Sequence, residues 1–403
     1  MNKLLDRVLV TDANSRGALS VIRSLGKQKV KTTLLARDGL GMSLFSRYHS
    51  EKVYCPSPID DLNGFIKNLI RIVKTRKYTT LFPLGDDSLL PISQHRNKLA
   101  PYLKLALPSH SSVLTALNKS QTLRAASEVG IPTPQTFCIK DKAEIKEISK
   151  RINYPAVIKS NWSYVWKRNG TAQYSRPFYV NSASELTLTY EKVAEIFPAP
   201  IIQEYVPGYN VSVGILFDHG MPKAACCIKV NRAMPITGGQ SVFRESIPPN
   251  STIVGHASNL LKNLEWHGVA EVEFRIDSRD LIPKLMEINA RFWGSMAVAI
   301  ESGIDFPYLL FLLSKGEKIA QIFNYKTGVK FRWLNGDFQN LRSILKNELR
   351  LVDQPQPNKI KTILNFLKFY EKNIHYDIFS LNDPLPFFVT GTMQKLVRRA
   401  IGY

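Results

Sequence analysis

The most constraining stretch of the sequence is residues 268–295, GVAEVEFRIDSRDLIPKLMEINARFWGS. GVAEVEFRID alternates and is rich in β-branched residues, Ser278, Arg279 and Asp280 supply turn chemistry, and LIPKLMEINA returns. The stretch therefore reads as a β-hairpin. In such a hairpin Glu273 and Glu287 lie near one another, and Asn289 shares a face with Glu287 because strand side chains alternate. Two carboxylates and an amide oxygen are hard donors, the set expected for Mg2+ held with substrate phosphates. Arg291, two residues further, points the same way and can meet a phosphate oxygen as a bidentate cation. An ordinary amphipathic hairpin with a solvated charged face accounts for the same pattern, because Glu-x-Asn-x-Arg is short enough to arise by chance.

Bulk composition narrows the class. With 403 residues the chain has room for two or three domains, and 44% hydrophobic with 22% charged residues are globular values. Cys55, Cys138, Cys226 and Cys227 form no metal-ligand spacing, and the adjacent pair in KAACCIKV faces opposite sides of a strand, which fits a reducing compartment. The chain moves straight into a strand (RVLVTD), and no apolar run reaches membrane-spanning length, so a cytoplasmic protein is expected. The net charge of +21 suits an anionic substrate, a nucleic acid or an acidic membrane surface without choosing among them.

Residues 1–108 alternate strands (RVLVT, KTTLLAR, TTLFPLG) with helical stretches, the pattern of a parallel, doubly wound sheet. The turn after the first strand, Asp12 to Gly17, holds one glycine where a dinucleotide site wants three, which excludes a nicotinamide enzyme on a Rossmann-like domain. Asp86 and Asp87 end the third of these strands; they read either as substrate ligands or as the start of a helix. Residues 109–130 form a helical pair, and Tyr154 to Ser160 a buried strand delivering Lys159, a cation costly to bury without an anionic partner. In VNRAMPITGGQSVFRES, Arg232, Arg244 and the Gly238–Gly239 pair suit a carboxylate-binding loop or a plain glycine turn. A helix is expected over 253–266 and an apolar helix over 303–316. FRWLNGDFQNLRSILKNELRLV and TILNFLKFYEKN look helical on either side of the breaker DQPQPNK, and GTMQKLVRRAIGY is a basic amphipathic end.

EINAR preceded by VEF, together with NKSQTLRAASEVGIPTP, resembles the signatures of the ATP-grasp superfamily, and the resemblance spans roughly residues 5–320. It implies an α/β chain: a Rossmann-like pre-ATP-grasp domain (1–108), a small lobe with central helices (109–205), a large lobe with the metal site (206–320) and a mostly helical, basic C-terminal extension (321–403). It further implies ATP with Mg2+, or Mn2+ in its place, held by Glu273, Glu287 and Asn289. Lys119 and Lys159 would contact phosphates, and Arg291 would serve the transferring phosphoryl group. Gln203, with backbone groups of Glu204 and Val206, would hold adenine; Asn210 stands where the family usually carries a ribose-binding glutamate. Residues 161–177 would close over the triphosphate, although Trp162 and Trp166 replace the usual glycines. The activity implied is an ATP-dependent carboxylate–amine ligase working through an acyl phosphate, with the N-terminal domain and Asp86 and Asp87 on the substrate side. A kinase or carboxylase on the same scaffold, or a basic nucleic-acid- or membrane-binding protein with a non-catalytic nucleotide site, are the alternatives. Partners expected are small carboxylate and amine substrates, a homo-oligomeric copy, and peripheral membrane contact through the basic C-terminus.

Overall fold

The computed structural model describes residues 6–141, 143–348, 351 and 357–390. The N-terminal sheet is parallel, ordered β3-β2-β1-β4, from β1 (Arg7–Val10), β2 (Lys31–Ala36), β3 (Glu51–Tyr54) and β4 (Thr80–Phe82). Val8, Leu9 and Val10 are all fully buried, because both faces of β1 are covered and no alternation survives. Helix α1 (Arg16–Lys27) is capped by Ser15, whose hydroxyl accepts from the Ala18 N–H; α2 (Leu62–Thr75), α3 (Asp86–Gln94) and α4 (Arg96–Leu99) complete the layer. Asp86 and Asp87 occupy the first turn of α3, where the exposed N–H groups favour negative charge. Asn118 ends α5 (His110–Leu117) and caps α6 (Lys119–Glu128), accepting from the Gln121 N–H, so two short helices meet without a loop.

A second, antiparallel sheet holds β5 (Thr136–Cys138), β6 (Ala156–Lys159), β9 (Phe178–Val180) and β10 (Ile201–Glu204) in the order β5-β10-β6-β9. Helices α7 (Glu144–Arg151) and α8 (Ala183–Ile196) cover it through Ile145, Ile148, Leu186 and Val193. Between β6 and β9, β7 (Tyr164–Trp166) and β8 (Ala172–Tyr174) form a separate hairpin. The third sheet is ordered β15-β14-β11-β12-β13-β16-β17. It is built from β11 (Gly208–Asp218), β12 (Met221–Met234), β13 (Gln240–Ser246), β14 (Gly268–Asp277), β15 (Pro283–Asn289), β16 (Lys330–Arg332) and β17 (Ile374–Tyr376).

One face of this sheet packs on α9 (Ser251–Asn263), three residues shorter at its C-terminal end than the sequence suggests. The other packs on α1, α10 (Ala297–Ser302) and α11 (Phe306–Ser314). Cys226 and Cys227 fall into these two different cores, as alternation along β12 requires. Gly214 is needed for close approach, since a Cβ there would lie 2.1 Å from the Trp293 ring.

Residues 331–333 depart from the expected helix. They pair with β13, and Arg332 is buried against Asp337 of α12 (Leu334–Leu345), so the helix starts only after this strand. The C-terminal segment thus mixes α12, α13 (Lys359–Phe366) and α14 (Leu385–Phe388) with β16 and β17. The basic stretch 391–403 lies outside the described residues. Among the described residues no helix is long and apolar enough to cross a membrane.

A buried charge cluster ties the C-terminal segment to the rest. Asp377, just past β17, accepts from Arg16 of α1 (2.9 Å) and from Arg244 of β13 (2.8 Å). Burial opposes the Asp377 charge, but the two guanidinium groups outweigh it and hold the carboxyl below its usual range. Replacing Asp377 by Ala leaves two cations facing each other without a counter-ion. Urea unfolding should register a loss of about 3–5 kcal/mol.

Candidate active site

The β14–β15 register sets Glu273 opposite Glu287 and Glu271 opposite Asn289, so four polar side chains share one face. A bulge follows Glu273: Phe274 pairs with Leu285, leaving Met286 extra. That extra residue lets Leu285 enter the core while Glu287 and Asn289 keep the opposite face. Glu271 escaped the sequence reading, although it stands two residues before Glu273 and alternation alone puts it on the same face. Asn289 Nδ2 donates to Glu273 (2.9 Å) and Glu271 (3.2 Å), and Ser295 Oγ donates to Glu271 (3.1 Å). Burial, then the neighbouring Glu271 and Glu287, push the Glu273 carboxyl well above its ordinary range; burial also raises Glu271. The face thus holds more buried acid than its own hydrogen bonds neutralise.

Cations converge on it from three directions. Arg291 Nη2 donates to Asn289 Oδ1 (3.3 Å) and Arg291 Nε to Asp86 of α3 (2.6 Å), which joins the large sheet to the N-terminal layer. Burial works against the Arg291 charge, but Asp86, Glu271 and Glu287 more than offset it. Lys159 ends β6 and donates to Gln203 Oε1 (2.7 Å). Burial pulls the lysine down to about 8, the attraction of Glu287 resists, and nearby Lys119 and Arg275 add to the depression. Lys119 opens α6, with its own N–H bonded to the Asn161 carbonyl at the start of the 161–177 loop (2.9 Å). Glu273, Glu287, Asn289, Arg291, Lys119, Lys159 and Asp86 are therefore drawn into one region.

The remaining predicted residues are placed differently. Gln203 is buried and also donates to Thr136 Oγ1 (2.9 Å), so its side chain is held inside the small sheet. Glu204 is locked by Lys284 and Arg279, each at 2.9 Å, and its N–H bonds the Gln135 carbonyl. The Val206 carbonyl and Asn210 Oδ1 both accept from Arg275, the latter at 2.9 Å. Arg275, unnoticed in the sequence, ties together Tyr205, Val206 and Asn210; its position on the alternating strand was the available signal. Arg232 turns to α12, where Nε and Nη2 grip Asp337 (2.6 and 2.8 Å). Gly238 lies by Arg275 and Tyr179, and Gly239 against Met234 and Pro235.

Asp87 belongs to a further acidic group. Asp12, in a left-handed conformation (φ 56°) after β1, accepts from the Leu84 N–H (3.1 Å) and Ser88 Oγ (2.6 Å). Burial, then the charges of Asp12 and Asp86, raise Asp87 to about 7. The β7–β8 hairpin lies over this shelf. Ala172 N–H donates to the Ile59 carbonyl (2.7 Å), Leu62 N–H to that of Gly170 (3.4 Å), and Trp166 Nε1 to that of Pro58 (3.1 Å). Burial and then the nearby Asp87 and Asp86 suppress ionisation of Tyr164 on the hairpin.

Residues 196–337 match a family model described as "ATP-grasp in the biosynthetic pathway with Ter operon". The chain has the ATP-grasp fold, and residues 196–337 are similar to that family in sequence. The ATP-grasp fold is shared with an L-amino acid ligase from Bacillus licheniformis, with a TM-score of 0.62 at 15% identity over 79% of this chain and 76% of that one. The biotin carboxylase domain of a Hydrogenobacter thermophilus 2-oxoglutarate carboxylase, in complex with MgADP, ADP and bicarbonate, gives 0.62 at 16% identity over 79% and 72%. A D-aspartate ligase from Enterococcus faecium (strain Aus0004) is 23% identical over 259 residues, 60% of this chain; the match spans 61% of that relative's length.

The raised Asp87 carboxyl has a measurable consequence. Its folded value lies above its ordinary 3.8, so its ionisation destabilises the fold progressively as pH rises from 3.8 to about 7. Asp87→Asn should therefore match the wild type in stability near the lower bound and exceed it above the upper one. Urea titrations at a series of pH values read this difference directly.

Proposed function

We propose that this ATP-grasp protein is a Mg2+- and ATP-dependent ligase that joins a carboxylate to an amine. The observation that carries the reading is the buried face of Glu271, Glu273, Glu287 and Asn289, met by Arg291, Lys159 and Lys119. Similarity to the D-aspartate and L-amino acid ligases supports the reaction class. Hard oxygen donors with surplus negative charge fit divalent cations, and turning the Asn289 amide presents its oxygen to the same side. Glu273, Glu287 and Asn289 would hold the cations, which when bound supply charge neutralisation to phosphate oxygens.

Lys159 and Lys119 would anchor the phosphate chain from the small-lobe side, and Arg291 the transferring phosphoryl group. A substrate carboxylate oxygen attacks the γ-phosphorus, the bond to ADP breaks, and an acyl phosphate results. The amine lone pair then attacks the acyl carbon, phosphate leaves, and the nitrogen loses a proton. Such chemistry rests on positioning and charge stabilisation. On the amine side, Asp12, Asp86 and Asp87 give the N-terminal shelf a local negative potential opposite in sign to the whole-chain charge of +21, and Trp162, Tyr164 and Trp166 near Asp86 add aromatic surface suited to an ammonium group.

Glu287→Gln should lower ADP formation by at least about a hundredfold while leaving the fold intact, with a thermal midpoint no lower than that of the wild type. Full activity in that variant removes the metal assignment. Hydroxylamine, offered in place of the amine, should yield a hydroxamate detectable by mass spectrometry. A stable phosphoester, or a carboxylated product from bicarbonate, would instead favour a kinase or a carboxylase.

A further inference from the structure

A cavity lies away from the carboxylate face. Successive pairings of Glu273 with Ser212, Ser212 with Ile228 and Ile228 with Ser246 carry that face across the sheet to β13. Ser246 and Arg244 are on it, so Phe243 and Glu245 point to the opposite side. There, beneath α12 and α13, a cavity of about 520 Å3 is lined by Arg232, Phe243, Glu245, Asn340 and Lys368 among others. That volume falls in the range of small-molecule sites.

Its polar groups are incompletely used. Asn340 is 2% exposed; its Nδ2 donates to the Ala233 carbonyl (2.7 Å), which fixes the amide, while its Oδ1 has no partner. A buried acceptor left in this state is costly. Glu245 makes no ion pair among the described residues: of its two cross-strand neighbours, Lys229 lies over the Tyr209 ring and Lys330 turns to Glu371 (2.7 Å). Of the two carboxylates lining the cavity, Glu245 is the one without a cation partner among the described residues. On the donor side, Arg232 spends Nε and Nη2 on Asp337 and stacks over Phe243 (4.3 Å), leaving Nη1 over. The Lys368 ammonium forms no ion pair among the described residues.

We propose that this back-face cavity is a second ligand site, separate from the ATP-grasp centre, that takes a small zwitterion bearing a primary ammonium and a carboxylate, of the size of an amino acid or dipeptide. The ammonium pairs with Glu245, the carboxylate meets Arg232 and Lys368, and Phe243 with Ile344 forms an apolar wall. The proposal is independent of the ligase reading.

Calorimetric titration of the full chain tests it, with glycylglycine as the zwitterion, glycylglycinamide lacking the carboxylate, and N-acetylglycylglycine lacking the ammonium. Glycylglycine should bind the wild type and the Glu287→Gln variant equally. Both derivatives should bind at least about tenfold more weakly, as should glycylglycine to Glu245→Gln. Thr362→Trp, which fills the cavity from α13, should abolish binding. No binding to the wild type, equal binding of all three probes, affinity unchanged by Glu245→Gln and Thr362→Trp, or affinity lost in Glu287→Gln would each overturn the proposal.

Discussion

Three glutamates on one face of a hairpin repel one another, and burial makes that repulsion stronger than it would be in water. The surrounding structure is arranged around this excess. Asn289 bridges two of the carboxylates, Arg291 answers the cluster and is itself steadied by Asp86 from the N-terminal layer, and Lys159 arrives from the small sheet. Asp86 and Lys159 come from the other two layers, so the electrostatic demand of this hairpin also bears on how the three layers dock.

A second buried charge centre does similar work towards the opposite edge of the large sheet. Asp377 sits between Arg16 and Arg244, and Arg332 with Arg232 closes on Asp337. The segment after residue 320 is thus built into the body of the protein: its strands extend the central sheet, and its acids neutralise arginines donated by earlier elements. Arg232, which from sequence suits a substrate carboxylate, is drawn into this structural role by Asp337, a partner 105 residues away.

Much of the layout was legible because it rests on short-range pattern. The alternation of residues 268–277 paired Glu273 with Glu287, and strand–helix alternation marked the parallel N-terminal sheet. What stayed hidden depends on partners distant in sequence. Residues 331–333 look helical until β13 offers them a sheet edge, and Gln203 looks available until Lys159 and Thr136 claim it. Net charge misled in another way: a strongly basic chain keeps a locally acidic shelf at Asp12, Asp86 and Asp87, and bulk composition averages over that distinction.

The β7–β8 hairpin is fastened to the N-terminal layer by three hydrogen bonds, from Ala172, Leu62 and Trp166. At a net of about 1 kcal/mol apiece, the unfastened state is scarcer by roughly a hundredfold. Any molecule that must pass beneath the hairpin pays this as a conformational tax, binding more weakly overall than its contacts alone would give. Loosening the seam would therefore tighten apparent affinity and quicken exchange, so the grip of this enclosure on its contents is set as much by its clasp as by its lining.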